Sequence, residues 1–451
     1  MPIGCLYLFY YSLFMEIQVV RMGRKLLLAG AFLWLFPVVG HGGTLHPPGS
    51  TLTLGNVSHN QSLLASVQNP AAGAAALEKK GGQYRFGILS SIGFGYEFGD
   101  VDNLLDELDD LSDLLDDAST LQEVEDIKER FDEALVDMSR DGYLKVQGGV
   151  HVPLMPIVMT HSLWQGSITF DASYQGQARL GVLDDPIAWD EVRGEAVTNT
   201  SLYLKGAVIR QISLGYSRQV WENHFGTLYA GARLKHYEGD FSKNVIALMD
   251  ADDDVADVFE DEFDANQRTS SALGVDAGVL WVAHLYRLGA TVNNLNSPSL
   301  SYPAIGTGCD SLSGSAQDNC NTAAYFSNRI NLREKYEMEP QLQVEGTLYH
   351  PNRQWVVSAS LDANPVYDAV GDEVQWFTLS TAYLSESWVI PGYRFGYRKN
   401  LTGSELSYVT TGFTLFRTFN LDIAYGLDRI EVDDDEYPRS IMVNLGFDLT
   451  F

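Results

Sequence analysis

Basic residues are scarce in this chain: 30 Lys and Arg stand against 59 Asp and Glu, a net charge of −29. Phosphate contacts need clustered Lys and Arg, so nucleic acid is disfavoured as a partner. Cysteine is almost absent, with Cys5, Cys309 and Cys320 alone and no Cys-x-x-Cys, which removes support for thioredoxin-type redox chemistry. The nine histidines show neither His-x-x-x-His nor Glu-x-x-His spacing, so no zinc site is expected. His151, His161 and His236 fall in or beside strand-like segments, where a structural role is the default. There is no Gly-x-Ser-x-Gly elbow, and nothing selects members of a catalytic triad. The expectation is therefore a non-enzyme without cofactor. Past the first 42 residues no run approaches the roughly 20 apolar residues of a membrane-spanning helix. In a membrane this chain must be a closed barrel, because only a barrel satisfies strand backbones in lipid.

What is present fits that shape. The 451 residues include 23 Tyr, 21 Phe, 8 Trp and 41 Gly, a composition suited to strands. Arg21, Arg24 and Lys25 precede the apolar run Leu26–Val39, and Gly40, Gly42 and Gly43 follow. That order reads as a secretory signal over residues 1–42, with Met22 an alternative start; the competing reading is an N-terminal anchor from Ile3–Met15 and Leu26–Val39. In an exported chain Cys309 and Cys320 most simply form one local disulfide.

Residues 43–82 are loop-like and end in the Ala-rich run Asn69–Leu77. From Tyr84 a period of two begins. Tyr84, Phe86, Ile88, Ile92, Phe94, Tyr96 and Phe98 share one parity; Arg85, Gly87, Ser91, Gly93, Gly95 and Glu97 share the other. The pattern returns in Leu273–Trp281, Leu342–Leu348, Tyr393–Tyr397, Phe419–Leu427 and Val443–Phe451. A soluble sandwich and a membrane barrel share this parity. Export, aromatics crowding the apolar parity and strand ends, and a final strand running to Phe451 favour the barrel, with about fourteen segments. The polar parity then faces a lumen: Arg85, Glu97, Arg333, Glu345, Asp362, Arg394, Arg398 and Asp422 occupy or flank it, as mutual ion pairs or as the lining of a passage. Glycines on that parity are expected to ease barrel curvature.

Two acidic insertions interrupt the strands. In residues 101–140, Leu104, Leu105, Leu108, Leu111 and Leu115, then Ile127, Phe131 and Leu135, have helical spacing, which predicts a helical hairpin at the barrel rim. Residues 245–264 form the second. Its Asp250, Asp252 and Asp254 have the opening spacing of a calcium loop, but Val255 stands where Gly is needed and Asp261 where Glu belongs. A solvated acidic helix start is the reading here, with loose divalent-cation binding by the insertions left open.

Family resemblance adds to this reading. Asn444-Leu-Gly-Phe-Asp-Leu-Thr-Phe451 resembles the C-terminal signal recognised by barrel-assembly machinery, with Asn444, Gly446, Leu449 and Phe451 carrying the match. Asn69-Pro70-Ala71 resembles an element of FadL-type hydrophobic-compound transporters, which implies fourteen strands and an N-terminal lumen plug. Most of the chain resembles the barrel-type family labelled conjugal transfer protein TraF. The features are Asn69–Leu77 ahead of a Gly- and aromatic-rich strand, the acidic helical insert, Val275–Trp281, Gly289–Leu295, and Phe395–Leu401 followed by Thr411-Gly-Phe413. Together these imply an all-β, transmembrane antiparallel β-barrel of the outer membrane, with a plug over 43–82 and the barrel over 83–451. Its expected partners are outer-membrane lipid, the barrel-assembly machinery, and a small hydrophobic ligand or transfer-system proteins. Two functions follow: passage of small hydrophobic compounds through a continuous apolar pocket beneath the plug, or a structural role with a closed lumen.

Overall fold

The computed structural model describes residues 51–58, 62–78, 84–161, 163–250, 266–385, 387–432 and 435–447. The signal segment, the start of the 43–82 segment, most of the second acidic insertion, Leu449 and Phe451 lie outside the described residues. Fourteen antiparallel strands close into one ring. They are β1 (Leu89–Phe98), β2 (Tyr143–His151), β3 (Gly166–Leu183), β4 (Ser201–Asn223), β5 (Gly226–Ala247), β6 (Gln267–Val282) and β7 (Tyr286–Asn293). Then follow β8 (Gln341–Tyr349), β9 (Trp355–Asp362), β10 (Trp376–Tyr383), β11 (Gly392–Asn400), β12 (Ser407–Leu415), β13 (Phe419–Gly426) and β14 (Ser440–Phe447). Each strand pairs with the next in sequence, and β14 closes on β1 with Asn444 opposite Gly93. Closure leaves no edge for lipid to strand unpaired.

The parity works as expected. On β6, Leu273 and Val279 are 55% and 46% exposed on the outside while Asp276 is fully buried inside. On β4 the outward apolar stretch Ile212, Leu214 and Tyr216 is bounded by Arg210 and Arg218. Eight residues of strand rise about 26 Å, or about 20 Å once tilted, close to the height of an outer-membrane hydrocarbon band. Aromatics ring the end that carries the short turns: Trp221 lies 5.7 Å from Trp281, Trp355 5.2 Å from Tyr383, and Phe419 4.9 Å from Phe447. Tyr96, Tyr397 and Tyr425 lie towards the other end. Such rings suit the interface, where an apolar body meets a polar tip.

The first strand is not continuous from Tyr84. Tyr84–Phe86 pairs beside the ring with Ile157–His161, and the register shifts between Leu89 and Ile92. Both Ser90 and Ser91 turn inward there, as a bulge requires.

The connections after β1, β3, β7 and β9 gather at one end; the short turns lie at the other, together with the 152–165 connection between β2 and β3. The predicted hairpin forms as two helices, Leu104–Asp117 and Leu121–Asp141. The second starts on a capping box: Thr120 Oγ1 accepts from the Glu123 amide, and Glu123 accepts in return from the Thr120 amide. Their stripe of Leu108, Leu111, Leu115, Phe131, Leu135 and Met138 packs on Leu180, Val182, Leu202 and Leu204. Leu202 and Leu204 share the outward parity of Ile212 and Leu214, so the hairpin covers the outer face of β3 and β4 above the lipid band. Each such side chain contributes roughly 1.5–3 kcal/mol by leaving water. The inner face of the same extension is covered by the 294–340 loop, where Tyr302 lies 4.8 Å from Phe241. Cys309 and Cys320 of this loop form the disulfide. Val245, assigned from sequence to the second insertion, still belongs to β5.

Candidate functional site

The lumen is filled from the N-terminal side. Three short helical turns, Thr51–Leu54, Ala65–Gln68 and Ala72–Glu78, sit inside the ring. Small side chains let the last of them lie against the wall: Ala71, Ala72 and Ala75 pack on Tyr229, Leu280 and Val282, and the Ala74 amide donates to Ser217 Oγ at 2.9 Å. Leu52 is buried among Leu406, Tyr408, Ala424 and Met442, while Leu54 packs on Val356, Ala382 and Leu384.

Asn69-Pro70-Ala71 forms the tightest junction. Asn69 Oδ1 accepts from the Ala71 amide, which closes a local turn. Its Nδ2 donates to Val279 O at 3.2 Å and to Glu345 Oε1 at 3.1 Å. Glu345 accepts also from the amide and hydroxyl of Ser58, and Arg287 Nη1 donates to Ser58 O at 2.6 Å. The wall opposite has no side chain. A Cβ on Gly231 would stand 2.4 Å from Pro70 O, and one on Gly278 2.3 Å from Asn69 Oδ1. These glycines permit backbone approach, a use beyond the curvature expected of them.

Buried charges fill much of the remaining lumen. Asp276 holds two cations, with Arg233 Nη2 at 2.6 Å and Lys235 Nζ at 2.7 Å, and Arg233 also donates to Val67 O in the plug. Arg394 grips Asp422 through Nε and Nη2 at 3.1 and 2.8 Å. Glu97 accepts from the Tyr143 hydroxyl at 2.6 Å. Asp362 accepts from Gln341, Gln343 and the Trp376 amide, and Arg398 stacks on Trp376 with 3.9 Å to the ring centre. Arg85 is buried on Tyr84–Phe86, a short strand beside the ring, opposite Val158, which packs on Leu63 of the plug. Arg333 is exposed on the 294–340 loop, not on the lumen side. Its neighbour Glu334 turns inward instead and pairs with Lys205 and Lys243 at 2.6 and 3.3 Å. A one-residue offset in a loop cannot be read from parity.

The mouth is closed by the 363–375 loop. Asp368 and Asp372 both reach Lys145, and Asp372 also pairs with Arg179 at 3.0 Å. Burial alone would raise the Asp372 carboxyl; Lys145 and Arg179 more than offset it and hold it below the usual carboxylate range. Between mouth and plug lies a chamber of about 150 Å³ lined by Gln68, Gln211, Lys235, Gln341, Gln343 and Arg398 among others. It is polar. Sequence reading missed Arg233, Lys235, Asp276, Asp368 and Asp372, although Asp276 lies on the inward parity of Leu273–Trp281. Among the described residues no cluster of His, Cys, Asp and Glu could hold a metal ion. Asp252 and Asp254 of the calcium-like spacing lie outside the described residues.

The family model described as "F plasmid transfer operon, TraF, protein" matches residues 66–362, from the plug to the end of β9. The chain belongs to this TraF family. No curated protein matches it. Among solved structures, this TraF-family chain is similar to the Ralstonia pickettii toluene transporter TbuX, at 10% identity and TM-score 0.40, over 92% of this chain and 100% of that one. It is similar also to the Pseudomonas putida toluene transporter TodX (12% identity, TM-score 0.40, 91% of this chain and 97% of that one). A Pseudomonas aeruginosa FadL homologue matches at 10% identity and TM-score 0.41, over 91% and 99% of the two chains.

Proposed function

We propose that this TraF-family protein is a non-enzymatic outer-membrane barrel with a shut lumen, acting as an assembly component of a transfer apparatus through its loop face. The observation that carries this reading is the filled lumen: hydrogen bonds join the plug to the wall, buried ion pairs join wall and mouth, and charged and amide side chains stand in the chamber between them. A path for hydrophobic compounds needs continuous apolar walls, and Asp276, Glu345 and Arg398 stand in its way. The helical hairpin is the part best placed for a partner. It projects above the lipid band, and its exposed face is dense in carboxylates, including Asp109, Asp113, Glu125 and Glu129.

The hairpin can be tested cleanly. Its entry and exit are already joined, since the Gly99 amide donates to Tyr143 O at 2.7 Å and the Asp100 amide to Asp141 O at 2.9 Å. Replacing 103–139 with a tight turn should leave an inserted, folded barrel while plasmid transfer by the host falls. Unchanged transfer refutes the role of this face.

Passage of small hydrophobic compounds keeps one foothold. Gly93, Gly95, Gly148 and Gly149 thin the wall of β1 and β2 in front of Leu52, around a cavity of about 40 Å³. Uptake of a hydrophobic probe that ends when Gly93 and Gly148 carry larger side chains supports that second reading.

A further inference from the structure

Arg398 is 1% exposed, yet among the described residues nothing accepts a hydrogen bond from its Nε or Nη1. Its ring-stacked guanidinium is fixed in place by Trp376. The neighbouring carboxylate, Asp362, is engaged by Gln341, Gln343 and the Trp376 amide instead. Buried N–H groups left without an acceptor cost free energy, and a buried cation all the more. Gln68 of the plug repeats the pattern: both Oε1 and Nε2 are buried without a partner. Both side chains line the same chamber.

The charges around the chamber balance. Arg233 and Lys235 share the carboxylate of Asp276, and Asp171 is buried behind His151 of the lining at 3.4 Å. Asp362 and Arg398 line the same space, so what stands out is the open N–H groups of Arg398 and not a net charge. Carboxamides supply most of the other donors, from Gln68, Gln211 and Gln343. Water can satisfy the amides, whereas a stacked guanidinium with two open N–H groups is matched best by a charged acceptor.

We propose that this chamber binds one small oxyanion, a carboxylate or phosphate group, with Arg398 as its principal donor and Gln68 as the plug's contribution. The volume of about 150 Å³ fits a phosphate or a short carboxylate with a few waters. The site goes beyond the shut-lumen reading and does not need it, because a bound anion is compatible with a closed or a conducting barrel.

The test uses the full-length protein in detergent micelles. Thermal unfolding is followed against inorganic phosphate and against acetate, with chloride at equal ionic strength as reference. The expected result is a saturable rise of the midpoint with phosphate or acetate and none with chloride. Arg398→Gln should weaken the apparent affinity about tenfold or more, the loss of a charged hydrogen bond. Gln68→Leu, in the plug and not the wall, should weaken it several-fold and keeps the test open if Arg398→Gln fails to fold. A midpoint that phosphate, acetate and chloride move alike overturns the proposal. So does equal affinity in the wild type and Gln68→Leu together with either equal affinity or no fold in Arg398→Gln.

Discussion

Replacing Asp276 by Asn removes one charge and leaves two buried cations facing each other. The carboxylate lies 2.6 Å from Arg233 Nη2 and 2.7 Å from Lys235 Nζ, and it also accepts the Asn294 amide at 2.9 Å. Asn is nearly isosteric and keeps the bond to Asn294, so no cavity forms and the change isolates the charge. Breaking a buried pair by removing one partner costs about 3–5 kcal/mol, a factor of roughly 150 to 4,000 in the folding equilibrium. Because Arg233 also holds Val67 O, part of the loss should appear as a loosened plug. Urea unfolding of the barrel in detergent, read by tryptophan fluorescence and by the gel shift between folded and heated protein, measures the whole. Proteolysis after residue 78 measures the plug. Adding Lys235→Met to D276N should return a good part of the loss, since one uncompensated cation goes with it. A cost of D276N within about 0.5 kcal/mol, the range of ordinary surface changes, would refute the reasoning.

Other outcomes follow from the same geometry. Gly231→Ala places a Cβ 2.4 Å from the Pro70 carbonyl, so the plug must move; faster hydrogen exchange across 69–75 with the strand ladder unchanged is expected. Phe131→Ala empties a fully buried position in the hairpin and should cost about 3–5 kcal/mol of local stability, visible as protease cleavage within 104–141 while the barrel stays folded. Asp372 is depressed in the folded state, so its contribution is complete above the unfolded value of about 3.9 and is lost as pH falls through the folded value. Cleavage within 363–375 should therefore be slow at neutral pH and rise only in strong acid, an order that Asp372→Asn should abolish.

The wall was legible in the sequence because a strand repeats every two residues. Leu273 to Trp281 and Tyr393 to Tyr397 needed no partner to reveal which residues share a face; that the apolar face meets lipid rested on the export signal and the placing of the aromatics. The hairpin was legible for a similar reason, since its leucines keep helical spacing over 104–135. Pairings between inward charges were not legible, because they depend on register. Arg233 meets Asp276 directly across the β5–β6 ladder, and no local pattern announces that match. The plug contacts were hidden further, since Ser58 and Glu345 are 287 residues apart. The loop end defeated parity altogether. There Arg333 points out and Glu334 in, and Val245 extends a strand through what reads as an acidic insertion.

The central claim, a lumen shut by its own N-terminal segment, is tested most directly by electrical recording across planar bilayers. The intact protein should insert without steady current; shortening the 363–375 loop alone should leave it shut, and further removal of residues 51–78 should open a stable pore. Continuous open-pore current from the intact protein would contradict the account.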